Sequence, residues 1–143
     1  MILRQSIGGN IIFDLEKSVS TEGDSGVYLQ YSYARANSIL EKAKENNIVK
    51  SDKLPENWQT TELEKILYRF PEVILRSGQE FAPHYVVNYL TELARAYNSF
   101  YGNTQIIDEK DSTSSYKVAL SEAFSLVMKN GLNILGIPVL EKM

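Results

Sequence analysis

The sequence predicts an all-α fold, a helical bundle, and two observations carry that expectation. From Val27 onward the apolar residues recur at steps of three and four, the period of one face of a helix. Start and stop signals then divide the chain into four to six such segments. Ser25 stands before the first, the box Thr61-x-x-Glu64 before the second, and Gly136 with Pro138 after the last. Helices with one apolar stripe each can bury those stripes only against one another.

The elements follow in order. Ile7-Gly8-Gly9-Asn10 signals a turn, Ile11-Ile12-Phe13 is a short apolar run, and Glu22-Gly23-Asp24-Ser25-Gly26 is a second loop. Nothing in the first 25 residues could build a core alone. The first helix presents Leu29, Tyr33, Ala36, Leu40 and Ala43 on one stripe, with Ser25 as N-cap and Asn46-Asn47 at its end. Val49 to Thr60, with Pro55, reads as a loop. A second helix carries Leu63, Ile66, Leu67 and Phe70 inward. Pro71 should break or restart it, because proline lacks an N–H and clashes with the preceding turn, and Val73 and Ile74 continue the apolar face beyond. Pro83 opens a third helix, with Val86, Leu90, Leu93, Tyr97 and Phe100 inward, and Gly102-Asn103 stops it. After the polar loop Asp108 to Thr113, a fourth helix carries Val118, Phe124, Val127, Leu132 and Leu135. Gly136 suits the C′ position there, and Pro138 forbids continuation.

Composition narrows the function classes. The 143 residues match one domain, long enough for a core that needs no staples. There is no cysteine, which excludes disulfides, thiol catalysis, iron–sulfur clusters and the usual structural zinc sites. Fifteen Lys and Arg against eighteen Asp and Glu give a net charge of −3. Net charge alone therefore cannot drive coating of nucleic acid, although two opposite faces could hide behind so small a balance. No apolar run approaches the length of about 18 residues that a membrane span needs, and the first six residues are not a signal peptide. A cytoplasmic protein is expected.

Candidate chemistry is sparse. The single histidine, His84, cannot make a multi-histidine metal site and has no triad context; a structural place at a helix start is the expectation. Asp108, Glu109 and Asp111 cluster in a polar loop beside Lys110, which reads as a solvated loop. Gly8-Gly9 and Gly23-x-x-Gly26 lack the spacing of phosphate-binding loops. The unusual feature is nine tyrosines, of which Tyr28, Tyr31, Tyr85, Tyr89 and Tyr101 fall outside the inward stripes. A tyrosine ring offers a flat face to a nucleobase and a hydroxyl for a hydrogen bond, which suits single-stranded RNA. The same ring also fills helix–helix contacts with its hydroxyl at the rim, and spacing alone leaves both readings open.

Three ordered blocks resemble arginyl-tRNA synthetases. Ser25-Gly26-Val27-Tyr28-Leu29-Gln30-Tyr31-Ser32-Tyr33-Ala34-Arg35 is similar to the S/T-G-P-Y-L-Q-Y-x-x-A-R segment where the family's catalytic domain passes into its C-terminal, DALR-type anticodon-binding domain. Pro83-His84, Asn88-Tyr89-Leu90, Leu93-Ala94 and Phe100-Tyr101 match the family's P-H … Y-L … L-A … F-Y helix. Lys129-Asn130-Gly131-Leu132, Leu135-Gly136-Ile137-Pro138 and Glu141-Lys142-Met143 resemble its K-N-G-L-x-x-L-G-I-x-x-P-E-R-M terminus. Departures are Val27 for the usual proline, Lys117-Val118-Ala119-Leu120 for R-L-x-L, Gly102-Asn103-Thr104-Gln105 after the F-Y pair, and Leu140 where proline is common. H-I-G-H-type and K-M-S-K-S-type motifs do not occur.

The resemblance implies the anticodon-binding helical bundle of a class I aminoacyl-tRNA synthetase over residues 26–143. Residues 1–25 would be a remnant of the catalytic domain behind an introduced Met1. It implies recognition of the anticodon stem-loop of an arginine tRNA, in a parent arginine–tRNA ligase that uses ATP and magnesium. The piece itself would need no cofactor and would be inactive alone. Partners implied are the tRNA and the catalytic domain, with no DNA, no membrane and a monomeric state. By carry-over, Tyr31 and Tyr101 are the stacking candidates and Met143 an apolar contact. Arg35, Lys129 and Lys117 are candidate phosphate contacts, and Gln105 lies in the altered anticodon-facing loop. Arg35 could equally cap a neighbouring helix, and Lys117 and Lys129 could be solvated faces. A stand-alone RNA-binding module and a helical protein-interaction domain remain as alternatives.

Overall fold

The computed structural model describes residues 2–5, 8, 16 and 25–140. Five α-helices run through them: α1 (Gly26–Glu45), α2 (Glu62–Tyr68), α3 (Phe70–Gln79), α4 (His84–Asn103) and α5 (Ser114–Ile134). A short 3₁₀ turn, Ile2–Arg4, lies against α4. Apart from Gly8, in a turn with φ +88°, the features expected between Ile7 and Asp24 lie outside the described residues.

Local chemistry sets the helix boundaries. The Ser25 hydroxyl accepts the Tyr28 N–H at 3.0 Å, satisfying one donor that the first turn of α1 leaves free. The box at α2 is complete: Thr61 Oγ1 accepts the Glu64 N–H, and Glu64 reaches back to the Thr61 N–H at 2.7 Å. Pro71 does break the second helix, with α2 closing at Tyr68 and α3 starting at Phe70.

Three helices end in the same motif, in which the N–H of the second residue past the helix cap bonds back to a carbonyl in the last turn. The motif needs a left-handed residue at C′. Gly136 supplies it after α5 (φ +72°) and Asn47 after α1 (φ +54°). After α3 the position is taken by Phe81, at φ +49° and 81% exposed. There a bulky side chain accepts a conformation that sterics disfavour.

The centre is α4, which touches each of the other four helices. Leu90, Leu93, Ala94 and Tyr97 on it are completely buried, as are Phe124, Met128 and Leu132 on α5. Tyr97 and Phe124 stack with ring centroids 3.9 Å apart. Full burial of each large apolar side chain is worth about 1.5–3 kcal/mol, so this seam contributes substantially to the stability of the bundle. Gly131 is what lets α5 approach α4 so closely. A Cβ there would stand 2.6 Å from Leu90 Cδ2, inside a core with no room for Leu90 to retreat. The loop between α1 and α2 is pinned by Trp58, whose Nε1 donates to Glu64, as does the Tyr116 hydroxyl from α5 at 2.7 Å.

One sequence expectation is corrected. Tyr89, read as outward-facing, is buried on α4 and gives its hydroxyl proton to the Ile66 carbonyl at 3.0 Å. A ring in the core whose hydroxyl finds a backbone partner fills a helix contact, the second of the two readings left open for the tyrosines. Burial pushes that hydroxyl's pKa well above the usual range.

Candidate nucleic-acid interface

The middle and later turns of α1 and the end of α4 border a cleft of about 410 Å³, lined by Tyr31, Ala34, Arg35, Ser38, Ile39, Glu41, Lys42 and Tyr101. On α1, Tyr31, Arg35, Ser38 and Lys42 follow at steps of four, three and four, so one helix face carries them all. Tyr101 comes across from the last turn of α4.

Arg35 organises this cleft. Its guanidinium carbon lies 4.8 Å from the ring centroid of Tyr31 and 4.8 Å from that of Tyr101. Both contacts fall within the range where a cation is attracted to an aromatic face. Its Nη1 donates to Asn98 Oδ1 at 2.5 Å, and its Nη2 makes a longer bond, 3.3 Å, to the Tyr31 hydroxyl. Tyr31 and Tyr101 are each 38% exposed, so two rings share one cationic wedge and still present surface to solvent. Exposed aromatic surface of this kind is what stacking of an unpaired base requires. Exposed Lys42, two helical turns beyond Arg35, supplies a cation at the far end.

The expected residues are thus brought together in part. Tyr31, Arg35 and Tyr101 form one constellation. Lys129 is exposed near the C-terminal end of α5, outside the cleft lining. Gln105 is exposed just past α4, where its side chain donates to the Ile107 carbonyl two residues on. Met143 lies outside the described residues. The chain leading to it is tied to α1, since Gln30 Nε2 donates to the Pro138 carbonyl at 2.9 Å.

Lys117 does not suit the phosphate role expected of it. It is only 8% exposed, and its ammonium donates to Asp111 Oδ2 at 2.6 Å and to the Gln105 carbonyl at 3.1 Å. Lys117 therefore fastens the loop between α4 and α5. The Lys117 hydrogen bond, with further ones from the Thr113 hydroxyl and N–H, holds the Asp111 carboxyl down at about 2. Arg35 is likewise committed, to the two rings and Asn98, and is a wedge more than a free phosphate contact. Sequence reasoning missed Asn98, Ser38 and Lys42. The step pattern from Tyr31 through Arg35 would have found Ser38 and Lys42, whereas nothing local signals Asn98.

Among the described residues no group of three or more His, Asp or Glu is placed to hold a metal ion. No helix among the described residues is long and apolar enough to cross a membrane.

Comparison with known proteins gives this geometry its context. The family model of the DALR anticodon binding domain matches residues 29–143. The chain is 38% identical over 144 aligned residues to the arginine–tRNA ligase of Fusobacterium nucleatum, covering 99% of this chain and 25% of that protein. It is 40% identical over 131 residues to the ligase of Streptococcus suis, covering 92% and 23%. It spans about a quarter of the length of these relatives. Among solved structures, the arginyl-tRNA synthetase of Thermus thermophilus superposes with a TM-score of 0.76 at 31% identity, over 92% of this chain and 23% of that one. The Plasmodium falciparum enzyme shares the fold, with a TM-score of 0.76 at 20% identity over 99% of this chain and 25% of that one. The matched helices are those that build the cleft, and the chain belongs to the DALR anticodon binding domain family.

Proposed function

We propose that this chain recognises the anticodon stem-loop of an arginine tRNA, as the anticodon-binding part of an arginine–tRNA ligase. The observation that carries the reading is the pair of tyrosines wedged open by Arg35 on a domain of this family. Arginine codons all carry G in second position, so every arginine anticodon has C in the middle. A reader of all of them must insist on that base and tolerate variety beside it. Stacking on Tyr31 and Tyr101 supplies the tolerance, and hydrogen bonds to the Watson–Crick edge from the polar rim of the cleft supply the discrimination. Lys42 and Lys129 are the phosphate contacts of this reading, in place of Lys117 and Arg35. ATP-dependent attachment of arginine then belongs to a catalytic domain bearing the motifs that this chain lacks. The chain works beside that domain as a monomer in the cytoplasm, with neither DNA nor a membrane as partner.

Fluorescence-monitored binding to an arginine tRNA transcript, at low and physiological salt, tests this. A transcript with the middle anticodon C changed serves as the comparison. Tighter binding of the unchanged transcript is expected; absence of binding even at low salt refutes the reading.

A further inference from the structure

We infer that Asn98 is a positioning residue for the base-stacking platform. It sets the direction of the Arg35 guanidinium and, through it, the spacing of Tyr31 and Tyr101. The inference rests on the reading of the cleft as a base-binding site and adds the residue that determines its shape.

Asn98 projects from α4 toward α1 and meets three residues there. Its Oδ1 accepts from Arg35 Nη1, and its Nδ2 donates to the Tyr28 hydroxyl and to Ser32 Oγ, both at 2.9 Å. The amide has only one orientation that satisfies these partners. A guanidinium can only donate, so the carbonyl oxygen must face Arg35. The Ser32 hydroxyl already gives its proton to the Tyr28 carbonyl at 2.9 Å, so its oxygen must receive one from the NH₂. Chemistry therefore fixes the amide, and the amide fixes the guanidinium. Among the described residues, the rest of Arg35's polar contact is the longer bond to the Tyr31 hydroxyl, too weak alone to hold a flexible side chain against solvent.

Leucine keeps the branch at Cγ but has no polar atom, so Asn98→Leu removes all three bonds; it is also bulkier than asparagine, and Asn98→Asp, which keeps the size, controls for packing. Aspartate keeps the acceptor for Arg35, and the Tyr28 hydroxyl can turn to donate to it. Only Ser32 must then give up its bond to the backbone.

Two measurements separate positioning from bulk stability. In the free chain, proton signals of the Arg35 side chain should be shifted upfield by the two rings; Asn98→Leu should abolish that shift and Asn98→Asp preserve it. With anticodon stem-loop RNA, Asn98→Leu should weaken binding roughly tenfold. It should also lower the ratio of affinities between RNA with C and RNA without C in the middle position, and Asn98→Asp should restore most of both. An unchanged Arg35 signal in Asn98→Leu overturns the inference. So does an unchanged affinity ratio, which would make Asn98 merely structural and leave the cleft's function intact. Failure of the unsubstituted chain to bind the RNA is a separate result, seen before any variant is made; it overturns the functional reading, and the role of Asn98 with it.

Discussion

Removing either partner of the Lys117–Asp111 pair should have very unequal consequences. The Lys117 side chain is 11% exposed and that of Asp111 29%, so after loss of its partner the carboxylate can turn to water and the ammonium cannot. Asp111→Ala leaves a buried charge with only the Gln105 carbonyl, and also strips the acceptor from the Thr113 N–H and hydroxyl. Breaking a buried pair in this way costs about 3–5 kcal/mol in fully enclosed sites; the exposure here reduces it to about 2–4 kcal/mol. Lys117→Met keeps an unbranched chain in the same space, removes the charge that must be desolvated, and should cost about 0–1 kcal/mol. Urea unfolding followed by the fluorescence of Trp58, the single tryptophan, measures both variants. The sign with pH follows from the same contacts. Folding lowers the Asp111 carboxyl from 3.8 to about 2, so its contribution is present above pH 4 and lost as pH falls toward 2. The difference between the parent chain and Asp111→Ala should accordingly narrow by about 1–2 kcal/mol across that window. Equal costs for the two substitutions, or a larger cost for Lys117→Met, would refute the view of Lys117 as an enclosed fastener.

Three further outcomes are expected. Tyr101→Ala should weaken binding of an arginine tRNA by about 1–3 kcal/mol in a fluorescence titration, the usual worth of one base stack, without unfolding the chain. Lys42→Gln and Lys129→Ala should weaken binding alike for matched and mismatched anticodons and shallow the salt slope by about 0.7–0.9 per lost phosphate contact; a base-specific loss at either would contradict a phosphate role. Phe81→Gly should leave thermal stability unchanged or raise it by up to about 1 kcal/mol, because glycine takes the left-handed C′ conformation freely and the phenyl ring buries little.

The helices were legible where a boundary is made by residues close in sequence. Ser25, Thr61 with Glu64, Pro71 and Gly136 each act within one turn of the chain, and each ends or begins a helix where it should. Illegible were the contacts that join distant segments. Tyr89 looked free because its stripe position was judged on α4 alone, while its partner is a carbonyl on α2. Lys117 looked like a surface cation because Asp111 reaches it only once the loop between α4 and α5 has folded back. The cleft itself was half visible. Tyr31 and Tyr101 stand out as aromatic residues off the apolar stripes, but their common wedge depends on Arg35 being met by Asn98 from another helix.

The central claim is that Tyr31 and Tyr101 form one preorganised surface for an unpaired anticodon base. The most direct measurement is a titration of the chain with anticodon stem-loop RNA, following the ring proton signals of Tyr31 and Tyr101 by NMR with the buried ring of Tyr97 as reference. The account predicts that both exposed rings shift together and saturate at one RNA concentration, with Tyr97 little changed. Saturation of RNA binding with both rings unmoved would contradict it.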